Sequence, residues 1–171
     1  MNFKERVAFY LAYHRDKRNV VTHFIGVPMI IFSILIPMCW LRFELGGILV
    51  TGGMIFIALV GIWYLSLNAI VGTLTILLSL PLVYFADQTA LMGFSTGGLI
   101  AITGFVVGWS FQMLGHYFEG RKPALVDDKS AIFSAPIFLA LEILLLLGWG
   151  KDFMKEVDTI SHKFDRNMKV A

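Results

Sequence analysis

The chain has 171 residues, 57% hydrophobic and 15% charged, with a formal net charge of +2. A mean hydropathy of +0.76 is too high for a soluble domain of this length. The basic residues gather near the ends of apolar segments, which fits lipid headgroup contact and speaks against a nucleic-acid partner.

Between Glu44 and Glu119 the only charged residue is Asp87. Uncharged runs of roughly 20 residues are what a membrane-spanning helix needs. The expected fold is an all-α polytopic membrane helical bundle with about four to five spanning helices and an interfacial amphipathic helix at each end. It reads as a single integral membrane domain over 1–171, divided into an interfacial helix (1–18), the bundle that carries the site (19–149) and an amphipathic tail (150–171). Cys39 is the sole cysteine, so no intramolecular disulfide can form. The first residues lack the short apolar core and small-residue cleavage site of a secretory signal, so the first apolar run is expected to be retained. No internal repeat, low-complexity stretch or flexible linker stands out.

Residues 2–14 predict an amphipathic helix. Phe3, Val7, Tyr10 and His14 recur at helical spacing, with Lys4, Glu5 and Arg6 off that stripe. Arg15 to Arg18 form a polar break, and Asn19 is placed to cap the next helix. The break matters for His14 and His23. On one straight helix, nine residues turn the chain by about 900° and put the two rings on opposite faces. A corner at Asp16 to Asn19 lets them converge.

The first span is predicted from about Phe24 to Leu41, bent by Pro28 and Pro37. The second runs from about Leu45 to Tyr64, where Gly46, Gly47, Gly52, Gly53 and Gly61 allow close helix contact. A weak turn at Leu65 to Asn68 separates it from the third, about Ala69 to Phe85. The fourth is about Gly97 to Gly115. A polar loop from Glu119 to Ser130 precedes a fifth run, about Ile132 to Trp149. In the tail, Phe153, Val157, Ile160, Phe164 and Met168 form a stripe. If the fifth run spans, the tail lies opposite the histidines; if it re-enters, it does not. Lys4, Arg6, Arg15, Lys17 and Arg18 place the N-terminal region in the cytoplasm. Four crossings then return the chain to the same side at His116, so His14, His23 and His116 share one face.

Those three histidines are candidate metal ligands. Imidazole suits iron, zinc or copper; the competing reading is interfacial histidines satisfied by water and lipid phosphate. Gln112 and Glu119 share a helical face with His116. Glu119 can ligate metal, orient an imidazole, or pair at the surface with Arg121 or Lys122. Glu142, deep in the fifth run, is costly to bury and can bind metal, hold a substrate hydroxyl, or pack as a protonated acid. His162 lies off the tail stripe and reads as solvated. Gly-rich phosphate loops, cysteine pairs, nucleophile elbows and the His-x-x-His-His boxes of membrane desaturases are absent.

Three blocks carry a family resemblance. The first is Tyr13-His14 with Asn19, His23 and Pro28. The second joins Gln112, Gly115, His116, Glu119, Arg121, Pro123-Ala124-Leu125 and Asp127. The third is Ala135-Pro136, Phe138 and Glu142. With these blocks the chain resembles the membrane family of iron(II)-dependent 2-hydroxy fatty acid dioxygenases. The resemblance implies Fe(II) as cofactor, on His14, His23 and His116, with Glu119 a possible fourth ligand. It implies alpha-oxidation: a 2-hydroxy fatty acid and dioxygen give a fatty acid one carbon shorter, without 2-oxoglutarate. The substrate's carboxylate and hydroxyl would take the open metal positions, and its acyl tail would lie between spans. Asn19 and Gln112 would orient ligands or the oxygen. The expected location is the bacterial inner membrane or the endoplasmic reticulum, with the metal site cytoplasmic. The rival reading is a small non-catalytic membrane protein, a transporter or an assembly partner. A transporter of this size would carry more polar groups through its spans than Gln112 and Glu142.

Overall fold

The computed structural model describes the backbone of residues 1–168 and the side chains of residues 1–164. The elements in order are α1 (Phe3–Ala12), α2 (Lys17–Cys39), β1 (Arg42–Leu45), β2 (Ile48–Thr51), α3 (Gly52–Leu67), α4 (Ala69–Ala90), α5 (Gly93–Glu119), α6 (Ala124–Asp127), a 3-10 turn (Lys129–Phe133), α7 (Ser134–Leu146) and α8 (Lys151–Met168). Helices α2, α4, α5 and the stretch Lys129–Leu146 are long and apolar enough to cross a membrane. The chain is an all-α polytopic membrane protein. Its contacts gather into two compact units, one of residues 25–111 and one of residues 1–24 with 112–171.

In the first unit the core is Leu35, Ile36, Cys39, Val83, Ala86, Ala90 and Ala101. The expected second span is corrected here. Residues 42–51 form a β-hairpin, with Leu45 opposite Ile48 across Gly46-Gly47. Both glycines have positive φ, 59° and 82°, as a two-residue hairpin turn of type I′ requires. They are turn residues, not helix contacts. Gly52, Gly53 and Gly61 do sit where a Cβ would meet neighbouring helices. The hairpin leaves α3 with 16 residues, about 24 Å, short of the roughly 30 Å hydrocarbon core. Arg42 on the hairpin pairs with Asp87 at 2.6 Å. The one acid of the long uncharged region is thereby matched.

The break expected at Leu65 to Asn68 is real. Asn68 ends α3, and its side-chain oxygen accepts the Val71 N–H at 3.0 Å to cap α4.

The second unit holds α1, the start of α2, the end of α5, and everything from α6 onward. Asn2 opens α1 with a reciprocal capping box to Glu5. Val7, Tyr10 and His14 of the predicted stripe are buried. Helix α8 lies alongside α1 and parallel to it: Phe3 stacks on Phe153 with ring centroids 5.5 Å apart, and Phe9 meets Phe164 edge-on at 5.4 Å. Lys4 pairs with Glu156, and Arg15 with Asp158 at 2.9 Å. Val157 and Ser161 are fully buried. The Met168 side chain of the expected stripe lies outside the described residues.

Helix α7 ends in a Schellman motif. The Trp149 N–H donates to the Leu144 carbonyl and the Gly148 N–H to the Leu145 carbonyl, with Gly148 at φ 89°. The chain then turns at Gly150 and returns along α1. The tail thus packs beside the first helix. The 13 residues of α7 reach about 20 Å.

Val157→Asp would bury a carboxylate between α8 and α1 and is expected to cost about 2–4 kcal/mol. Its thermal midpoint in detergent should fall by several degrees, whereas exposed Lys163→Ala should leave it unchanged.

Candidate metal centre

The site is built where α1 ends, α2 begins and α5 ends. The corner comes earlier than the sequence indicates, at Tyr13–Asp16. Asp16 starts α2: its side chain accepts the Arg18 N–H at 2.8 Å, and its carbonyl accepts from Val20. Asn19 is therefore one turn inside α2 and is not its cap. The reason is competition for the first free N–H groups: an aspartate three residues earlier reaches them first. The Arg18 guanidinium holds the Asp16 carboxyl below its usual range, and lies 4.8 Å over the Phe118 ring.

This corner brings the first two imidazoles together. Nε2 of His14 and Nε2 of His23 are 3.0 Å apart. His116 joins them from α5, with ring centroids 5.0 Å from His14 and 5.3 Å from His23. One nitrogen from each ring lies within 4.8 Å of the others. The three side chains are 2%, 2% and 7% exposed. That depth removes the reading in which water and lipid phosphate satisfy them.

The tautomers follow from the partners. Nδ1 of His14 is 2.7 Å from the Tyr10 carbonyl, and Nδ1 of His23 is 2.9 Å from the Asn19 carbonyl. A carbonyl can only accept, so both Nδ1 atoms carry the proton. Each Nε2 of a neutral ring then presents a lone pair to the other, which is not a hydrogen bond. Making one ring cationic would cure this, but burial, with His23 next, holds His14 well below the ordinary imidazole value. Nδ1 of His116 is buried with no hydrogen-bond partner among the described residues. Converging lone pairs on buried rings fit a divalent transition-metal ion.

Glu119 does not join the three rings. Its carboxylate accepts the backbone N–H of Arg15 at 2.9 Å, that of Asp16 at 2.8 Å, and the Asn19 amide at 3.1 Å. Asn19, fully buried, also donates to the Tyr13 carbonyl at 3.2 Å. One carboxylate on α5 thus clamps the corner that holds His14 and leads into the helix that carries His23. Lys122 pairs with Asp127 at 2.7 Å, and Arg121 donates to the Ala12 carbonyl. Lys122, then the Tyr13 hydroxyl, hold Asp127 below the usual carboxylate range.

Gln112 sits one turn before His116, 6% exposed, with its Nε2 buried and without a partner among the described residues. Glu142, half-buried on α7, makes no hydrogen bond or ion pair among the described residues and is not in the three-histidine group. His162 is exposed on α8, 3.6 Å from Asp158. Two residues to which the sequence reading gave no role at the site contribute to it. Tyr10 supplies the carbonyl under His14, a role visible only as spacing of four residues. Gly115 lets α5 approach: a Cβ there would collide with Thr22 Oγ1 and Asn19 Oδ1.

Residues 1–147 match the family described as 2-hydroxy-palmitic acid dioxygenase Mpo1-like. The chain belongs to this family. It is also 31% identical over 156 residues to 2-hydroxy-palmitic acid dioxygenase MPO1 of Saccharomyces cerevisiae, covering 87% of this chain and 83% of the yeast protein. No solved structure matches. All three blocks of the sequence resemblance lie inside the family match, as do the buried histidines. Helix α8 lies beyond its end.

Gly115→Ala is expected to push α5 off the corner and to lower Co(II) affinity at least tenfold, as loss of ligand support does; a metal titration of the purified variant checks this. Glu119→Gln replaces an acceptor by an amide that faces an N–H donor. It should lower the thermal midpoint of the metal-free protein as well as metal affinity. Loss of a mere ligand would leave the metal-free midpoint in place.

Proposed function

We propose that this protein is an Fe(II)-dependent dioxygenase that shortens 2-hydroxy fatty acids by one carbon. The observation that carries the proposal is the buried convergence of His14, His23 and His116; the family membership and the yeast relative's name supply the substrate class. The overall change, RCH(OH)COOH + O2 → RCOOH + CO2 + H2O, balances with dioxygen as the only oxidant. No 2-oxoglutarate is required.

Bound to the three imidazoles, Fe(II) would supply dioxygen activation and open positions for the substrate's carboxylate and hydroxyl. The chain's own part is orientation and exclusion. The Tyr10 and Asn19 carbonyls set the tautomer of each neutral ring, with the proton on Nδ1 and the lone pair on Nε2. Glu119 is spent on the corner, so we assign it to support and not to ligation. The buried Gln112 amide is a donor with no partner among the described residues; we assign it to an oxygen of the bound substrate. Asn19 acts through the backbone it holds. Glu142 takes no assigned step. The basic residues before and within the first turn of α2 support a cytoplasmic location for the corner, and with it the site.

Purified protein loaded anaerobically with Fe(II) and given a long-chain 2-hydroxy fatty acid should consume oxygen in step with formation of the shortened acid. His23→Ala should abolish both, a loss of at least a hundredfold. Bound iron without uptake would reject the substrate class. Absence of both would favour a non-catalytic membrane protein.

A further inference from the structure

His14 differs from the other two histidines in its backbone. His23 and His116 sit within long helices, whereas His14 lies past the end of α1, in the corner. A ligand in a loop has a less firmly fixed Cα–Cβ vector and needs other constraints on its ring. One residue supplies them. The Tyr10 ring lies parallel to the His14 ring, 6° between planes and 3.9 Å between centroids. It is the only ring stacked flat on a histidine among the described residues. His23 meets His14, His116 and Tyr10 at 84°, 87° and 82°. Tyr10 is 3% exposed, and Phe138 from α7 lies beside both rings, 5.0 Å from Tyr10 and 5.8 Å from His14.

We propose that Tyr10 is a positioning residue of the metal centre, an aromatic plate that fixes the plane of the His14 imidazole. The inference rests on the metal-centre reading above. Two constraints act on one ring. The Tyr10 carbonyl at 2.7 Å from Nδ1 sets the tautomer and one point of the ring plane. The Tyr10 face prevents rotation about the remaining axis, because turning His14 would drive its edge into the plate. Phe138, beside both rings, limits their sliding across one another. The carbonyl survives any side-chain substitution, so the two constraints separate experimentally. Parallel contact comes from the ring face and not the hydroxyl, so phenylalanine should substitute.

The test uses the full-length protein in detergent, Tyr10→Phe, Tyr10→Leu and Tyr10→Met, titrated with Co(II) and followed by its ligand-field absorption. Wild type and Y10F should bind alike and give the same bands. Y10L and Y10M should bind about tenfold more weakly, the lower end of what losing an orienting neighbour costs, with displaced bands. Their metal-free thermal midpoints identify any variant that has simply unfolded; the flexible Met side chain fills the space where branched Leu does not. A folded Y10L or Y10M with wild-type affinity and bands would overturn the proposal, as would Y10F behaving like Y10L. Failure of the wild type to bind Co(II) would sink the metal-centre reading itself, a separately readable result.

Discussion

Two buried imidazole nitrogens held 3.0 Å apart are the constraint on which the rest depends. Each is forced by a carbonyl on the far side of its ring, so neither imidazole can turn its proton inward without abandoning a buried acceptor. Two lone pairs facing each other repel, and the fold must hold them together. The corner, its carboxylate clamp and the close approach at Gly115 serve that purpose. Gly115 is a residue whose value lies in what it lacks, since any side chain there would displace Thr22 and Asn19.

The use of Glu119 for support bears on the charge of the centre. Three neutral imidazoles around a divalent ion leave its full double charge uncompensated by protein. Under the proposed reading that charge is an attraction for an anionic head group, and a carboxylate ligand from the chain would weaken it. The clamp also links the histidines through covalent and hydrogen-bonded steps. Glu119 holds Asn19; the Asn19 carbonyl holds His23; the neighbouring N–H groups of Arg15 and Asp16 hold the segment beside His14.

Much of this was legible in the sequence. Apolar runs separated by charges marked the spans, and the three blocks marked His14, His23 and His116. The need for a corner between the first two followed from helical phase alone. Asn68 was readable as a break because it interrupts an uncharged run with a capping side chain. The hairpin at 42–51 was not read, because Leu45 to Val50 is as apolar as a helix; the signal was the Gly-Gly pair between short runs of Phe, Leu, Ile and Val. The Asn19 assignment failed because Asp16 lies closer to the first free N–H groups. Glu119 could not be settled from spacing, since one helical face serves a ligand and a clamp equally. Tyr10 was seen only as part of a stripe, because a carbonyl bond and a ring contact leave no compositional mark.

The clamp joins residues 104 positions apart in the chain, and α8 reaches α1 across still more, Lys4 to Glu156 being separated by 152. This order of contacts sets an order of assembly. During synthesis His14 and His23 are made early, yet they stay unsupported until the intervening spans have been inserted and the end of α5 has emerged. The outer face of α1 waits longer, for nearly the last residues made. A chain interrupted before α5 would therefore carry His14 and His23 without His116, so under the proposed reading membrane insertion would precede metal loading.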